Sequence, residues 1–327
     1  MTCARGILLL SLALLPVEVG CEAEVRLERP GSYAFALLGD APYTDRDEAP
    51  FEQVLKQINA EELAWVIHLG DILSHPCSDS VFQARFQTFQ QVRHPMVYTP
   101  GDNEWTDCHR SEAESYQPRE RLAKLREVFF PNPAASLGGR RLPLTSQSQD
   151  TTFSEFVENA RWVREQIVFT TIHVVGSQNG RQPFEGRTAE DDAEVERRMS
   201  AAIAWLREAF AVAHGLEARA VFIGIHANPA FTETPNDPRR APFDPFLEVL
   251  EEEVERFDGP VLLAHGDTHT QRIDHPLTRR ATGQRLNNFT RLEVFGSPDV
   301  GWVRVVVDTL NPELFSFHPQ KIRRPLF

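Results

Sequence analysis

Residues 262–270 read LLAHGDTHT: an apolar run that ends in His265, Gly266, Asp267, Thr268 and His269. Side chains alternate along an extended strand, so His265, Asp267 and His269 are expected to face one way. Three metal-capable groups at one strand end, next to a glycine that lets the chain turn, ask whether other strands end alike. They do. The apolar runs "YAFALLGD" (33–40), "AWVIHLGD" (64–71) and "PMVYTPGD" (95–102) also close in Gly-Asp, and together with "GPVLLAHGD" (259–267) they hold the only four Gly-Asp pairs in the chain. A fifth run, "RAVFIGIH" (219–226), ends at His226.

Between these runs lie helical spacings at 50–63, through about residue 92, at 118–130, 190–213 and 243–257. A β-rich stretch covers 166–177, an irregular loop rich in Pro, Gly, Ser and Gln covers 132–160, and the tail carries two strands, 289–296 and 301–308, read as a pair joined at Ser297-Pro298-Asp299. Strands alternating with helices predict an α/β core, with the final strand pair as an antiparallel portion. In such sheets ligands collect outside the carboxyl ends of the strands. The Gly-Asp endings, His226 and His269 therefore belong on one rim, where unpaired carboxylates would repel each other and a cation resolves the conflict. A mixed Asp and His set suits Mn, Fe or Zn, with Mg less at ease beside imidazole. Four solvated turns are the plain alternative.

Composition narrows the partners. The chain has 327 residues, 41% hydrophobic, and a formal net charge of −13. That supports a sizeable core and disfavours duplex nucleic acid or an anionic membrane as a bulk partner. No GxSxG and no GxxxxGK[ST] occurs, so neither a serine-nucleophile elbow nor a phosphate loop is supported.

Arg5 and the apolar run from Ile7 to Leu15 read as a secretory signal with cleavage after Ala23, leaving 24–327 as one large domain. A lipid-anchored start at Cys21 and a buried N-terminal helix are the alternatives. Export makes Cys77 and Cys108, the remaining cysteines, a disulfide candidate, against two unpaired buried thiols. Each follows a Gly-Asp aspartate by six residues, so a bridge would tie those two loops together.

The ordered series "GDAPY", "GDILS", "GDNE", "IGIHANP" and "GDTH" resembles the calcineurin-like metallophosphoesterases, a family that includes purple acid phosphatases, from about residue 33 to 308. The resemblance implies a four-layer α/β/β/α sandwich and a small-molecule phosphoester substrate hydrolysed at a two-metal site through a metal-bridging hydroxide. It implies Asp40, Asp71 and His269 at metal one, and Asp71, Asp102, His226 and Asp267 at metal two.

Three departures stand out. Pro42 takes the place of a first-motif histidine, and Ser74 the place of the tyrosine ligand of purple acid phosphatases, so no purple colour is expected; Tyr43 could approach metal one. Asp102 and Asp267 stand where asparagine and histidine are usual, a more anionic set that shifts preference toward Mn or Mg. Asn103 stands where the family has a histidine that serves the leaving group, and an amide is no general acid near neutral pH. His265 and His68 are the substitutes, His265 alternatively a ligand and His68 alternatively a core residue. Asn103 and His75 are candidates for substrate contact, His109 and Arg110 lie in the same loops, and "VVGSQNG" (174–180) points Asn179 toward the rim. The expectation is an exported metal-dependent phosphatase or phosphodiesterase. The alternative is a non-catalytic metal- or phosphoester-binding protein on the same fold, which Asn103 favours.

Overall fold

The computed structural model describes residues 31–323; the proposed signal segment and Cys21 lie outside the described residues. In chain order the elements are β1 (Ser32–Leu38), α1 (Asp45–Ala60), β2 (Val66–His68), α2 (Asp79–Gln90), β3 (Met96–Tyr98), α3 (Pro118–Phe129), β4 (Thr145–Ser146), β5 (Ala160–Arg164) and β6 (Ile167–Thr171). Then follow α4 (Ala189–Gly215), β7 (Ala220–Gly224), α5 (Asp244–Arg256), β8 (Val261–His265), β9 (Arg272–Asp274), β10 (Phe289–Glu293), β11 (Gly301–Asp308) and β12 (Phe315–Lys321).

The strands form two sheets, ordered β12-β11-β1-β2-β3 and β4-β5-β6-β7-β8-β10-β9. Within the first, β1, β2 and β3 are parallel; within the second, β6, β7, β8 and β10 are parallel. Strand alternation builds the layers. Tyr33, Phe35 and Leu37 of β1 face the other sheet and meet Trp162, Phe169, Phe222 and Leu262. Ala34, Ala36 and Leu38 face outward and meet Phe51, Val54 and Ile58 of α1 and Phe82 and Phe89 of α2. On the far side, Val221, Ile223 and Leu263 pack under Trp205, Leu206 and Phe210 of α4 and Phe246 and Leu250 of α5. These three apolar layers make a four-layer α/β/β/α sandwich of the metallophosphoesterase type. Its centre is aromatic: Phe35 lies edge-on to Phe169 and Phe222 at 5.7 and 5.5 Å, and Trp65 edge-on to Phe169 at 4.9 Å. Each such pair adds ~0.5–1.5 kcal/mol beyond burial.

The tail differs from the expected hairpin. β10 lies parallel to β8 in one sheet, and β11 lies antiparallel to β1 and β12 in the other. The segment 297–299 is therefore a crossing between sheets rather than a hairpin turn. Continuous apolar character is the same for a strand buried in either sheet, which is why pattern alone paired the two. β4 forms inside the expected irregular loop, β5 starts at that loop's last residue and runs through unassigned ones, and β12 forms in the unassigned tail.

Helix α1 begins where local chemistry dictates. Thr44 and Asp47 form a capping box, and Asp45, Asp47 and Glu48 sit in the first turn, against the positive end of the helix. Asp47 reaches further: Oδ2 accepts from Tyr43 N (3.2 Å), Thr44 N (3.1 Å) and the Ser297 hydroxyl (2.9 Å), joining the loop after β1 to the crossing after β10.

Candidate metal centre

All five strand endings come together at the carboxyl ends of the strands of the two facing sheets. Asp40, Asp71 and His226 each offer a ligand atom within 4.8 Å of the others, and so do Asp102, His226 and Asp267. His269 Nε2 lies 3.8 Å from Asp40 Oδ1. The turns that swing these groups inward are left-handed, with φ of 53° at Asp40, 56° at Asp71, 77° at Asp267 and 58° at His269. Short aspartates tolerate that conformation better than most side chains, and it is stored where the polar groups converge. Two glycines make room: a Cβ on Gly266 would collide with Asp40 Oδ2, and one on Gly101 with Asp71 Oδ1.

Backbone carbonyls fix both imidazoles. His226 Nδ1–H donates to Leu69 O (2.8 Å) and His269 Nδ1–H to Ser297 O (2.7 Å). Their Nε2 atoms are thereby left to face the carboxylates, the orientation a metal ligand needs. Asp40 Oδ1 accepts from Asp267 N (2.9 Å), and Asp267 Oδ2 accepts from Asn228 N (2.8 Å). Asp71 takes Asn103 N on Oδ1 (3.1 Å), Asn103 Nδ2 on Oδ2 (2.9 Å), and the Tyr43 hydroxyl on Oδ2. Tyr43 Oη also lies 3.2 Å from His269 Nε2, so a phenol oxygen stands between two of the groups assigned to metal one.

The residues fit a cation. His226 Nε2 faces Asp102 Oδ1 at 3.2 Å and Asp71 Oδ1 at 3.4 Å in a setting with no solvent access to the ring. Asp40 Oδ2 is buried with no hydrogen-bond partner among the described residues. Burial raises the carboxyl groups of Asp40 and Asp71 well above the usual range. Burial together with the Asp102 charge pushes Asp267 up to about 6. Burial alone would lower His226, but Asp71 and Asp102 beside it push that imidazole well above its ordinary value. Against the same burial, the His226 ring holds Asp102 below the usual carboxylate range. Buried oxygens and imidazole nitrogens that need positive charge are a metal donor set.

Beside this cluster opens a cleft of about 580 Å³ whose wall includes His75, Asn103, Asp107, Arg110, Ser177 and Gln182. Of the residues named for substrate contact, both His75 and Asn103 line this cleft. His265 does not. Positive φ at Asp267 and His269 ends the strand alternation and takes those two side chains off the face on which His265 lies; His265 stays buried with Nδ1 on Gly266 O (2.8 Å), and burial lowers its pKa to about 3. His68 is likewise buried, ringed by Phe51, Phe89 and Tyr98. Neither replaces the missing histidine. His109 stacks on Phe184 (4.8 Å between centroids), away from the cleft.

Asn179 also points elsewhere, its Oδ1 accepting from the buried Arg198 (2.5 Å). Ser177 takes its place at the rim, carried by a left-handed turn with φ of 49°, 56° and 56° at residues 177–179. Gly176 in that turn packs so closely that a Cβ would lie 2.5 Å from Asp267 Oδ1 and 2.6 Å from Asp102 Oδ2. Sequence reasoning missed Asp107, Ser177 and Asn228. Only Asn228, two residues after His226, had a signal in its spacing. Cys77 and Cys108 are joined in a disulfide with Cα atoms 5.8 Å apart, both sulfurs 3.3 Å from the Asn103 carbonyl oxygen.

Among known proteins, the calcineurin-like phosphoesterase family matches residues 35–271. No curated protein sequence matches the chain. Among solved structures, one titled as the structure of PhoD superposes with a TM-score of 0.53 at 12% identity, covering 85% of this chain and 64% of that one. The chain thus spans somewhat less than two thirds of that protein's length. TT1561 of Thermus thermophilus gives a TM-score of 0.49 at 11% identity, covering 89% of this chain and 99% of the other. Members of the matched family bind divalent metals and are typically metal-dependent phosphoester hydrolases. With the motif series, the sandwich and the donor set in agreement over most of its length, the chain belongs to the calcineurin-like phosphoesterase family.

Proposed function

We propose that residues 24–327 form one exported, metal-dependent phosphoester hydrolase domain that works at a two-metal site. The observation that carries this reading is the His226 ring, whose Nε2 is fixed between Asp71 and Asp102 with Asp40 and Asp267 alongside. Asp40, Asp71 and His269 would hold one ion, with the Tyr43 oxygen beside it, and Asp71, Asp102, His226 and Asp267 the other. A bound metal pair supplies Lewis acidity toward phosphoryl oxygens and lowers the pKa of an attacking water. A mixed set of four carboxylates and two imidazoles suits Mn, Fe, Zn or Mg.

The chain's own residues define the rest. Asn103 gives one of its two side-chain N–H groups and its backbone N–H to Asp71, so it orients that carboxylate, and as an amide it offers no acidic proton. His265 and His68 are too deep to serve instead. Esters whose alcohol leaves as a stable anion are therefore the favoured substrates, because they depart without a protein acid. The buried disulfide fits an oxidising compartment. No helix among the described residues is long and apolar enough to cross a membrane.

Metal analysis of the purified protein followed by a phosphoester panel tests the reading. Mn-loaded protein should hydrolyse 4-nitrophenyl phosphate, and Asp71→Ala should lose both metal and turnover. Asp71→Ala that keeps full metal content and rate would sink the assignment. Stoichiometric metal with no turnover on any ester would favour the second reading, a non-catalytic binding protein, for which Asn103 is the specific observation.

A further inference from the structure

Arg110 is the only arginine or lysine on the wall of the cleft among the described residues. The other ionisable side chains there, Tyr43 aside, are two imidazoles, His75 and His269, and five carboxylates. Three of these, Asp71, Asp102 and Asp267, belong to the metal donor set. The other two are Asp107 and Glu112.

Arg110 is held rather than loose. Its Nη2 lies 2.7 Å from Asp107 Oδ2. Asp107 is itself buried, with the Ser177 hydroxyl 2.8 and 2.9 Å from its two carboxylate oxygens. The Arg110 backbone is pinned as well: its N–H donates to Asp107 O (3.0 Å), and its carbonyl accepts from Ala113 N (3.0 Å) and Ser115 N (3.1 Å). Cys108, two residues before it, is bridged to Cys77. The side chain is nevertheless about half exposed, and the ion pair engages one nitrogen of a five-donor fork. A planar cation oriented by a buried carboxylate is built to meet a second anion with little ordering cost.

Resting on the phosphoester reading above, we infer that Arg110 selects substrates whose alcohol portion carries its own anionic group, a carboxylate or a second phosphate. The residues of the donor set would hold the metal that binds the scissile phosphoryl group. Glu112 and the donor-set carboxylates would repel a further negative charge on the leaving portion, and Arg110 is the one guanidinium or ammonium on this wall, among the described residues, that would attract it. The cleft is also larger than a phosphate alone requires. The favoured substrates are thus phosphoesters whose alcohol portion carries a second anionic group, bound at two points.

The test uses Mn-loaded protein and two ligands of matched length, 3-phosphonopropanoate and propylphosphonate, titrated by calorimetry. The wild type should bind the carboxylate-bearing ligand more tightly. Arg110→Gln should weaken that ligand roughly ten- to hundredfold, the scale of a charge-assisted hydrogen bond, and leave propylphosphonate unchanged. In turnover, Arg110→Gln should raise KM for 4-carboxyphenyl phosphate with kcat nearly constant, and spare phenyl phosphate. A thermal melt confirms that the variant is folded, as expected for a half-exposed side chain. Equal wild-type affinity for the two ligands overturns the inference. So does a variant that weakens both alike, since Arg110 would then act on the phosphoryl group. Binding with the expected preference but no turnover supports the inference and removes only the hydrolase reading. Failure of both ligands to bind overturns both.

Discussion

Gly266 shows how much of this centre is decided by single atoms. The glycine is needed for space rather than for an unusual backbone angle, because a methyl group there would sit on Asp40 Oδ2. Gly266→Ala should push the Asp40 carboxylate away from Asp71 and His226 while leaving the sandwich folded. The expected result is metal affinity lower by tenfold or more, a loss of the size seen when groups that orient a ligand are removed, read by metal titration beside a circular dichroism melt. Unchanged affinity would mean that Asp40 is no ligand. At this scale the sequence was most legible where residue type and position both speak, as in the four Gly-Asp pairs. It was least legible for His265. Strict alternation put that ring beside Asp267, and two left-handed residues, at 267 and 269, undid the alternation. Ser177 was hidden for a related reason, since nothing in "GSQNG" announces three consecutive left-handed residues.

At the scale of elements, the helices and central strands followed from periodicity, and their partners did not. A parallel strand buried on both faces carries no mark of which sheet it joins, so β10 and β11 read as neighbours and proved to belong to different sheets. What joins elements instead is a few buried polar groups. Glu158, just ahead of β5, is fully buried and receives Arg126 of α3 through Nη2 (2.6 Å) and Nε (3.0 Å), and His173 Nδ1 at the end of β6 (2.7 Å). Burial would raise this carboxyl, but the Arg126 charge and the His173 hydrogen bond overcome it and hold Glu158 at about 2, against an ordinary 4.5. A depressed carboxyl pKa gives stability that is complete above the unfolded value and disappears as pH falls through the folded one. Glu158→Gln should therefore cost on the order of 3 kcal/mol at pH 7. The gap to wild type should close between about pH 4.5 and pH 2. Urea midpoints measured across that window check it; a gap independent of pH would mean that Glu158 acts by shape alone.

For the whole molecule, the decisive feature is that two sheets bring their carboxyl ends together, so the candidate ligands that follow β1, β2 and β3 meet those that follow β7 and β8. The sandwich interior fixes the sheets, but the loops that leave them need their own restraint, and the Cys77–Cys108 bridge supplies it for two. The bridge closes a 31-residue separation that contains α2 and β3. Chain entropy alone makes a loop of this size worth about 3–4 kcal/mol. Both sulfurs are buried against the outer helical layer and touch the Asn103 carbonyl oxygen, so the bridge braces the peptide that carries Asn103 and follows Asp102. Replacing both cysteines by serine should then have two separable effects. Global stability should fall by the entropic amount, read as a lower urea midpoint. Metal affinity should fall as well, in a fully folded population well below that midpoint, because Asp102 loses its backing. A variant that is less stable yet binds metal as tightly as wild type would show the bridge to be a staple only. One as stable as wild type would show that the loop is held by its packing. Protein recovered from an oxidising compartment should have no free thiol at either position, and two reactive thiols after unfolding without reductant would refute both the bridge and the exported setting it supports.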